Sequence, residues 1–428
     1  MSTAIASNLD TRVTDTSPAE TMSNPELRVL HVFAGLGMGG AETWLMSLLK
    51  YFHEYAADLP LDVKFDVLLT GGEKAIFDDE ALALGARLFY LPFGRRNLVR
   101  FTREFRALLA AGNYDVIHDH QAHIAGLHFL LGSGLLPPTR IAHVHNAVLH
   151  IANYVTDPLR QFTNKAGKRL LKYFATDILG TSAQLLEEYG FHPAAFRSIR
   201  LEAAHCGFDV TLYQRDYVAT HAELCKEFGW DEDSKLLLFV GRLEGSERVH
   251  MGRPMTHKNP MFALEVAKEC IRNDSRTRMV MVGAGEEKRL EFQQTISSWG
   301  LSDKITLTGT RSDVPRLMAG SDLLLFPSLA EGLGMVAVEA QAAALRVLAS
   351  DTTPRECIVL PDLIEFCSLE EPPAHWSERA LQLINLPRPD PFSSFDAVRR
   401  SPFSIDNSAQ SLIQLYAARS EVSRLFTS

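Results

Sequence analysis

A chain of 428 residues is too long for one ordinary hydrophobic core, so two domains are expected. A hydrophobic content of 46% beside 22% charged residues is that of a soluble globular protein, and a net charge of −9 argues against a nucleic-acid binder, which needs a basic face. The five cysteines have no C-x-x-C spacing, which points to reduced thiols and not to structural zinc, and no run of about 18 apolar residues offers a membrane span.

Residues 1–25 are rich in Ser, Thr, Ala and Asn, lack an apolar signal core and read as a disordered tail. Leu27 to Phe33 then reads as a buried parallel strand, followed by the glycine loop Gly35-Leu36-Gly37-Met38-Gly39-Gly40 and a helix over Ala41 to Phe52. A strand, a glycine loop and a helix form a phosphate cradle, with Gly39 and Gly40 nearest the helix start. The same letters satisfy G-x-G-x-x-G, so a dinucleotide-binding dehydrogenase has to be weighed. Such a fold needs an acid at the end of its second strand, about 20 residues past the glycines. Here the second strand is Lys64 to Leu69 and the next acid, Glu73, comes 33 positions after Gly40, which is wrong for a nicotinamide cofactor.

Strands follow at Arg87 to Leu91, Tyr114 to His118 and Arg140 to Asn146, with helices between them, the alternation of a doubly wound parallel sheet. His118, Asp119, His120 and His123 leave the end of one strand, and His143 and His145 close the next. Ligands of such sheets bind beyond the carboxyl ends of strands, so two histidine clusters share one lip. A neutral imidazole there accepts a hydroxyl hydrogen bond, whereas an imidazolium stabilises phosphate charge, and both states stay open. Two stretches are basic and amphipathic: Arg95, Arg96, Arg100, Arg103 and Arg106 among Leu98, Phe101 and Phe105, then Arg160 to Lys172 near Phe162 and Tyr173. Such faces suit an anionic bilayer as well as plain solvent.

A second set of strands begins at Lys235 to Val240, with Gly241-Arg242 at its end, and continues near Arg278 to Val282, Ile305 to Leu307, Leu323 to Phe326 and Val347 to Ala349. Arg242 and Lys258 supply fixed cations for charge that grows on a leaving diphosphate. Gly283-Ala284-Gly285 is another strand-end turn, and Asp313-Val314-Pro315 starts a helix that would face a nucleobase. After Phe326 the chain turns through Pro327-Ser328 and Gly332-Leu333-Gly334 into a helix, with Glu331 and Glu339 eight positions apart. If that interval is mostly helical, the two carboxylates lie roughly 10–12 Å and about 80° apart, too far to share a metal but suited to the two ends of one elongated ligand. An amphipathic helix over Ser408 to Phe426 closes the chain.

The run Phe326-Pro327-Ser328, E-G-x-G-x-x-x-x-E from Glu331 to Glu339, and Ala340 to Asp351 together resemble the signature of the family-4 glycosyltransferases, which are retaining enzymes of GT-B architecture. Ala344 stands where that pattern has glycine and Arg346 where it has proline. The glycine loop before Glu42, Gly241-Arg242, Lys258-Asn259-Pro260 and Cys206-Gly207-Phe208-Asp209 are similar to other segments of the same family.

The resemblance implies an α/β GT-B fold of two Rossmann-like domains facing a central cleft. Residues 26–205 would form the acceptor side, 206–395 the nucleotide-sugar side, and 396–428 a helix crossing back to the first domain. It implies catalytic roles for His120 at the transferred sugar, Arg242 and Lys258 at the diphosphate and Glu331 on sugar hydroxyls. Gly39, Gly40, His145, Gly283, Gly285, Gly332, Leu333, Gly334 and Glu339 would bind the donor, with Glu339 on the ribose.

The expected reaction is retaining transfer of a hexosyl group from a UDP- or GDP-sugar to a hydroxyl of a glycan or lipid-linked acceptor, in bacterial polysaccharide assembly. No D-x-D follows an apolar strand, so no metal and no other cofactor is expected. The expected location is cytoplasmic, with peripheral contact on the inner membrane face. The rivals are a GT-B sugar-nucleotide epimerase, a nicotinamide-dependent dehydrogenase and a catalytically silent partner subunit.

Overall fold

A computed structural model of the chain describes residues 24–148, 158–243, 249–250, 253–254 and 257–419. The expected N-terminal tail up to residue 23 and the end of the C-terminal helix lie outside them.

Seven strands form the first sheet: β1 (Glu26–Phe33), β2 (Asp62–Leu69), β3 (Arg87–Tyr90), β4 (Val116–Asp119), β5 (Thr139–Val144), β6 (Asp177–Gly180) and β7 (Arg200–Ala203). They are all parallel, in the order β3-β2-β1-β4-β5-β6-β7. After β8 (Lys235–Val240) comes a small antiparallel pair, β9 (Val249–His250) and β10 (Arg253–Pro254). The second sheet resumes with β11 (Thr277–Val282), β12 (Ile305–Gly309), β13 (Leu323–Phe326), β14 (Arg346–Ser350) and β15 (Ile364–Cys367). It is also parallel, in the order β12-β11-β8-β13-β14-β15. Both halves thus carry the same doubly wound pattern, a GT-B arrangement, as the resemblance implied.

Helices cover both faces of each sheet, which is why the strands read as unbroken apolar runs. Leu27, Val29, Leu30 and Val32 of β1 are all fully buried, alternate residues feeding two different core clusters. The β14 strand keeps an ordinary parallel register on both sides despite Ala344 and Arg346 just before and at its start. Ala344 is buried with φ +54°, the left-handed conformation that glycine adopts freely, and this explains the glycine of the pattern.

The chain passes between the halves twice, and the two passages are tied together. Phe208 N–H donates to Phe403 O at 3.0 Å, and Ile405 N–H donates to Phe208 O at 2.9 Å. The helix Pro391–Arg400 still packs on the second domain, against Met335–Ala342, so that domain runs past residue 395 to Arg400. The following helix spans Ile405–Ala417, starting earlier than Ser408 because Ser404 caps it through the Asn407 N–H. It crosses to the first domain and buries Ala409, Leu412, Ile413, Leu415 and Tyr416 in the same core as Trp44 and Leu45.

Candidate functional site

In each sheet the strand order reverses beside its first strand, between β1 and β4 and between β8 and β13. Crevices open at the carboxyl ends of strands at such points. The expected site residues sit at these two places.

On the first-domain side, Gly39 precedes the helix Gly40–Glu54, and a Cβ there would meet the Glu42 carboxylate at 2.2 Å. Cβ atoms placed at Gly35, Gly37 and Gly40 would meet open space, so the loop presents bare backbone. Arg242 Nη2 donates to Met38 O of this loop at 3.4 Å, which brings the second-domain cation across the cleft. Burial raises the Glu42 carboxyl above its usual range, against the opposing pull of its own backbone N–H and of Arg242. Glu42 was not singled out as a site residue, although it ends the quoted glycine motif.

On the second-domain side, Lys258 Nζ and Glu331 Oε1 form an ion pair of 2.6 Å, with side chains only 18% and 9% exposed. Lys258 precedes a helix that begins at Pro260, after Asn259 in the left-handed conformation (φ +54°). Burial raises the Glu339 carboxyl, while a Tyr213 hydroxyl hydrogen bond and the Lys258 charge pull it down. One lysine therefore serves both acids. The strand-end turns are packed on one another: a Cβ at Gly283 (φ +154°) would overlap Gly241 O at 1.9 Å, and one at Gly241 would press on Lys258 Cγ at 3.1 Å. Gly285 (φ +139°) starts the helix Glu286–Ser298. Asp313, expected near a nucleobase, is held well below the usual carboxylate range by Arg311 and Arg316 in a structural ion network.

Two expectations need correction. The helix after Glu331 begins only at Met335, because Gly334 takes φ +94°, so helical rise and azimuth do not describe the first half of the Glu331–Glu339 interval. The Leu333 side chain lies in the second-domain core, 2% exposed, so only its backbone is open to a donor role.

The two lips touch. A Cβ at Gly332 would strike His145 O at 2.1 Å and Thr181 Oγ1 at 2.9 Å. Ser182 Oγ donates to Gly332 O at 2.6 Å, and the Glu356 carboxylate accepts from Ala183 N–H at 2.8 Å and Gln184 N–H at 3.2 Å. Thr181, Ser182 and Glu356 carry no motif that would have revealed these contacts in the sequence.

The histidines form a grid on one face of the first sheet. Alternate residues share a face, so His118 pairs with His120 and His143 with His145, while His31 lies beside His118 in register. His120 is bonded at both nitrogens: Nε2 to His31 Nδ1 at 2.9 Å and Nδ1 to His145 Nε2 at 2.9 Å, with its ring stacked 4.0 Å from Phe33. His118 Nε2 meets His143 Nδ1 at 3.1 Å, and His118 Nδ1 meets the Tyr416 hydroxyl at 2.6 Å. Burial lowers His31 and His145 to about 3 and holds His118, His120 and His143 well below the usual range. Burial thus favours the neutral ring over the imidazolium at all five positions. A ligand hydroxyl would reach a His120 nitrogen only by replacing one of its two imidazole bonds. Asp119 and His128 form a separate, fully buried pair at 2.6 Å, and His123 packs edge-on against the stacked rings of Tyr189 and Phe191.

Both halves of the chain also match known families in sequence. The family model described as Glycosyltransferase Family 4 matches residues 38–212, and that described as Glycosyl transferases group 1 matches residues 234–385. The chain is 28% identical to the putative glycosyltransferase EpsF of Bacillus subtilis (strain 168), over 86% of this chain and 90% of that protein. It is 24% identical to the capsular polysaccharide biosynthesis glycosyltransferase CapH of Staphylococcus aureus, over 92% of this chain and 99% of that protein. The fold is similar to Anabaena HepE, solved in complex with UDP and glucose, at a TM-score of 0.69, with 16% identity, 92% of this chain and 100% of that one covered.

Proposed function

Since the chain belongs to the family-4 (group 1) glycosyltransferases, with their GT-B fold, we propose that it moves a hexosyl group, with retention, from a UDP- or GDP-sugar to a hydroxyl acceptor. The observation that carries this reading is the Lys258–Glu331 pair, set beside Glu339 and facing a glycine loop that Arg242 reaches from the other lip. Arg242 and Lys258 neutralise the diphosphate as charge grows on it, so no divalent metal is needed there. Glu331 holds sugar hydroxyls, Glu339 the ribose, and His120 with His145 the face of the reacting sugar. Gly39, Gly40, Gly283, Gly285, Gly332 and Gly334 bring backbone close to the donor. A UDP or UDP-sugar donor is supported by the ligands of HepE.

The acceptor is a growing glycan or a lipid-linked sugar in polysaccharide assembly, by analogy with the capsular polysaccharide enzyme CapH. No helix among the described residues is long and apolar enough to cross a membrane. Peripheral contact with an anionic inner face is supported by the helix Pro158–Phe174, which exposes Phe162 (68%) and Tyr173 (80%) among its basic residues. The dehydrogenase reading finds no support in the family assignment.

The test is a thermal-shift screen of UDP-, GDP- and ADP-sugars in the presence of a chelator. One of them stabilises the wild type, and the shift is lost in Arg242→Ala and Lys258→Ala. A shift that requires manganese, or none with any nucleotide sugar, overturns the reading. Conversion of the donor to an epimer without acceptor replaces transfer by epimerisation.

A further inference from the structure

Donor binding uses at most two of the five histidines in the grid, and His31, His118 and His143 are fully buried behind them. One nitrogen from each of His120, His143 and His145 lies within 4.8 Å of the other two. We propose that these three side chains hold one divalent transition-metal ion, of the zinc class, at the carboxyl ends of β4 and β5 in the first-domain sheet.

The geometry follows from the strands. His143 and His145 share a face of β5 and its end, His120 leaves the neighbouring β4, and the His143 and His145 rings are 3.9 Å apart. Three imidazoles around an open fourth position is a common zinc arrangement, with Zn–N distances of roughly 2.0–2.1 Å that small ring rotations would reach here. An all-imidazole set suits zinc, copper or nickel and selects against magnesium and calcium, which need oxygen ligands.

The outer partners are also those of a built site. His31 fixes the far nitrogen of His120, and His118, itself held by Tyr416, fixes Nδ1 of His143. Nε2 of His143 is buried and has no side-chain partner, with the Ala204 backbone close by. Orientation by such partners is what keeps a ligand ring in place. A second trio, His31, His118 and His120, meets the same distance criterion but lies deeper, whereas His120 and His145 are partly open to the cleft. An ion on the outer trio would pin β4 to β5 directly behind the His145 carbonyl that meets Gly332. The site shares His120 and His145 with the proposed sugar face, where an ion would replace their mutual hydrogen bond, but it lies apart from the diphosphate, for which the proposed chemistry uses protein cations.

The full-length chain is stripped with a chelator and titrated with cobalt(II). The expected result is visible absorption of four-coordinate cobalt saturating at about one equivalent and displaced by zinc. Zinc, and not magnesium, also raises the melting temperature. His143→Gln abolishes the absorption, and His31→Gln retains it. No visible band in the stripped wild type overturns the proposal, as does a band unchanged in His143→Gln or lost in His31→Gln alone. The wild-type titration decides the matter even if a variant fails to fold. A donor thermal shift on the same stripped sample separates the two readings: if it persists where cobalt fails to bind, the metal site falls and the donor assignment stands.

Discussion

Lys258 and Glu331 meet at 2.6 Å across a gap that brings together the cation assigned to the diphosphate and the acid assigned to the sugar. The two assigned targets are neighbours, since the β-phosphate is bonded to the sugar's reacting carbon. On the proposed assignment the pair divides the donor between its members. Lys258→Ala should lower kcat by ~10²–10³-fold, the loss usual for one stabilising donor. Glu331→Gln should leave a thermal shift with free UDP but remove the extra stabilisation given by the attached sugar. Equal losses with UDP and UDP-sugar in Glu331→Gln would contradict this division.

Gly332→Ala should hold the lips apart. Its new methyl carbon has the His145 carbonyl at 2.1 Å, and backbone on both sides leaves little room to yield. Overpacking of this kind costs about 1–3 kcal/mol, which the chain escapes by opening the cleft. Small-angle scattering should show a larger radius of gyration and kinetics a raised KM, with a near-normal melting temperature.

Ala344→Gly should stabilise the protein. An L-residue in the left-handed region costs roughly 1–2 kcal/mol, part of which glycine returns as entropy in the unfolded chain, leaving about 0.5–1 kcal/mol. The urea midpoint should rise with an unchanged slope, and donor affinity should stay as it is.

Stability should fall as the solution is acidified. Burial depresses the folded pKa of His31 and His145 to about 3 and lowers that of the other three rings strongly, whereas the unfolded chain titrates near 6.5. Between these values the unfolded state binds more protons, so the stabilisation is complete above pH 6.5 and is lost progressively below it. Each ring contributes up to ~1.4 kcal/mol per pH unit. Urea midpoints measured from pH 8 to 5 should bend downward below 6.5, and His118→Gln, if it folds, should flatten the bend.

What could be read from the sequence was local. Apolar runs such as Lys235 to Val240 and turns such as Gly39-Gly40 declare strands and cradles within a few residues, and both sheets follow from them. Four-residue strands such as Asp177–Gly180 and Ile364–Cys367 are too short for a periodic signal. Candidate site residues could be named where chemistry and motif coincide, at Lys258, Glu331 and Glu339, but their distances could not, because one left-handed glycine delays the helix. Nothing near His31 announces its bond to His120, 89 residues away, and the grid exists only once three strands are side by side.

The last helix has a consequence for synthesis. Tyr416 closes over His118, and Leu412 and Ile413 complete a core begun by Trp44 and Leu45, so the first-made half of the polypeptide waits for the helix Ile405–Ala417 to leave the ribosome. Until then its apolar face has no cover, and a fragment ending near residue 205 should aggregate or recruit a chaperone instead of standing as an independent domain.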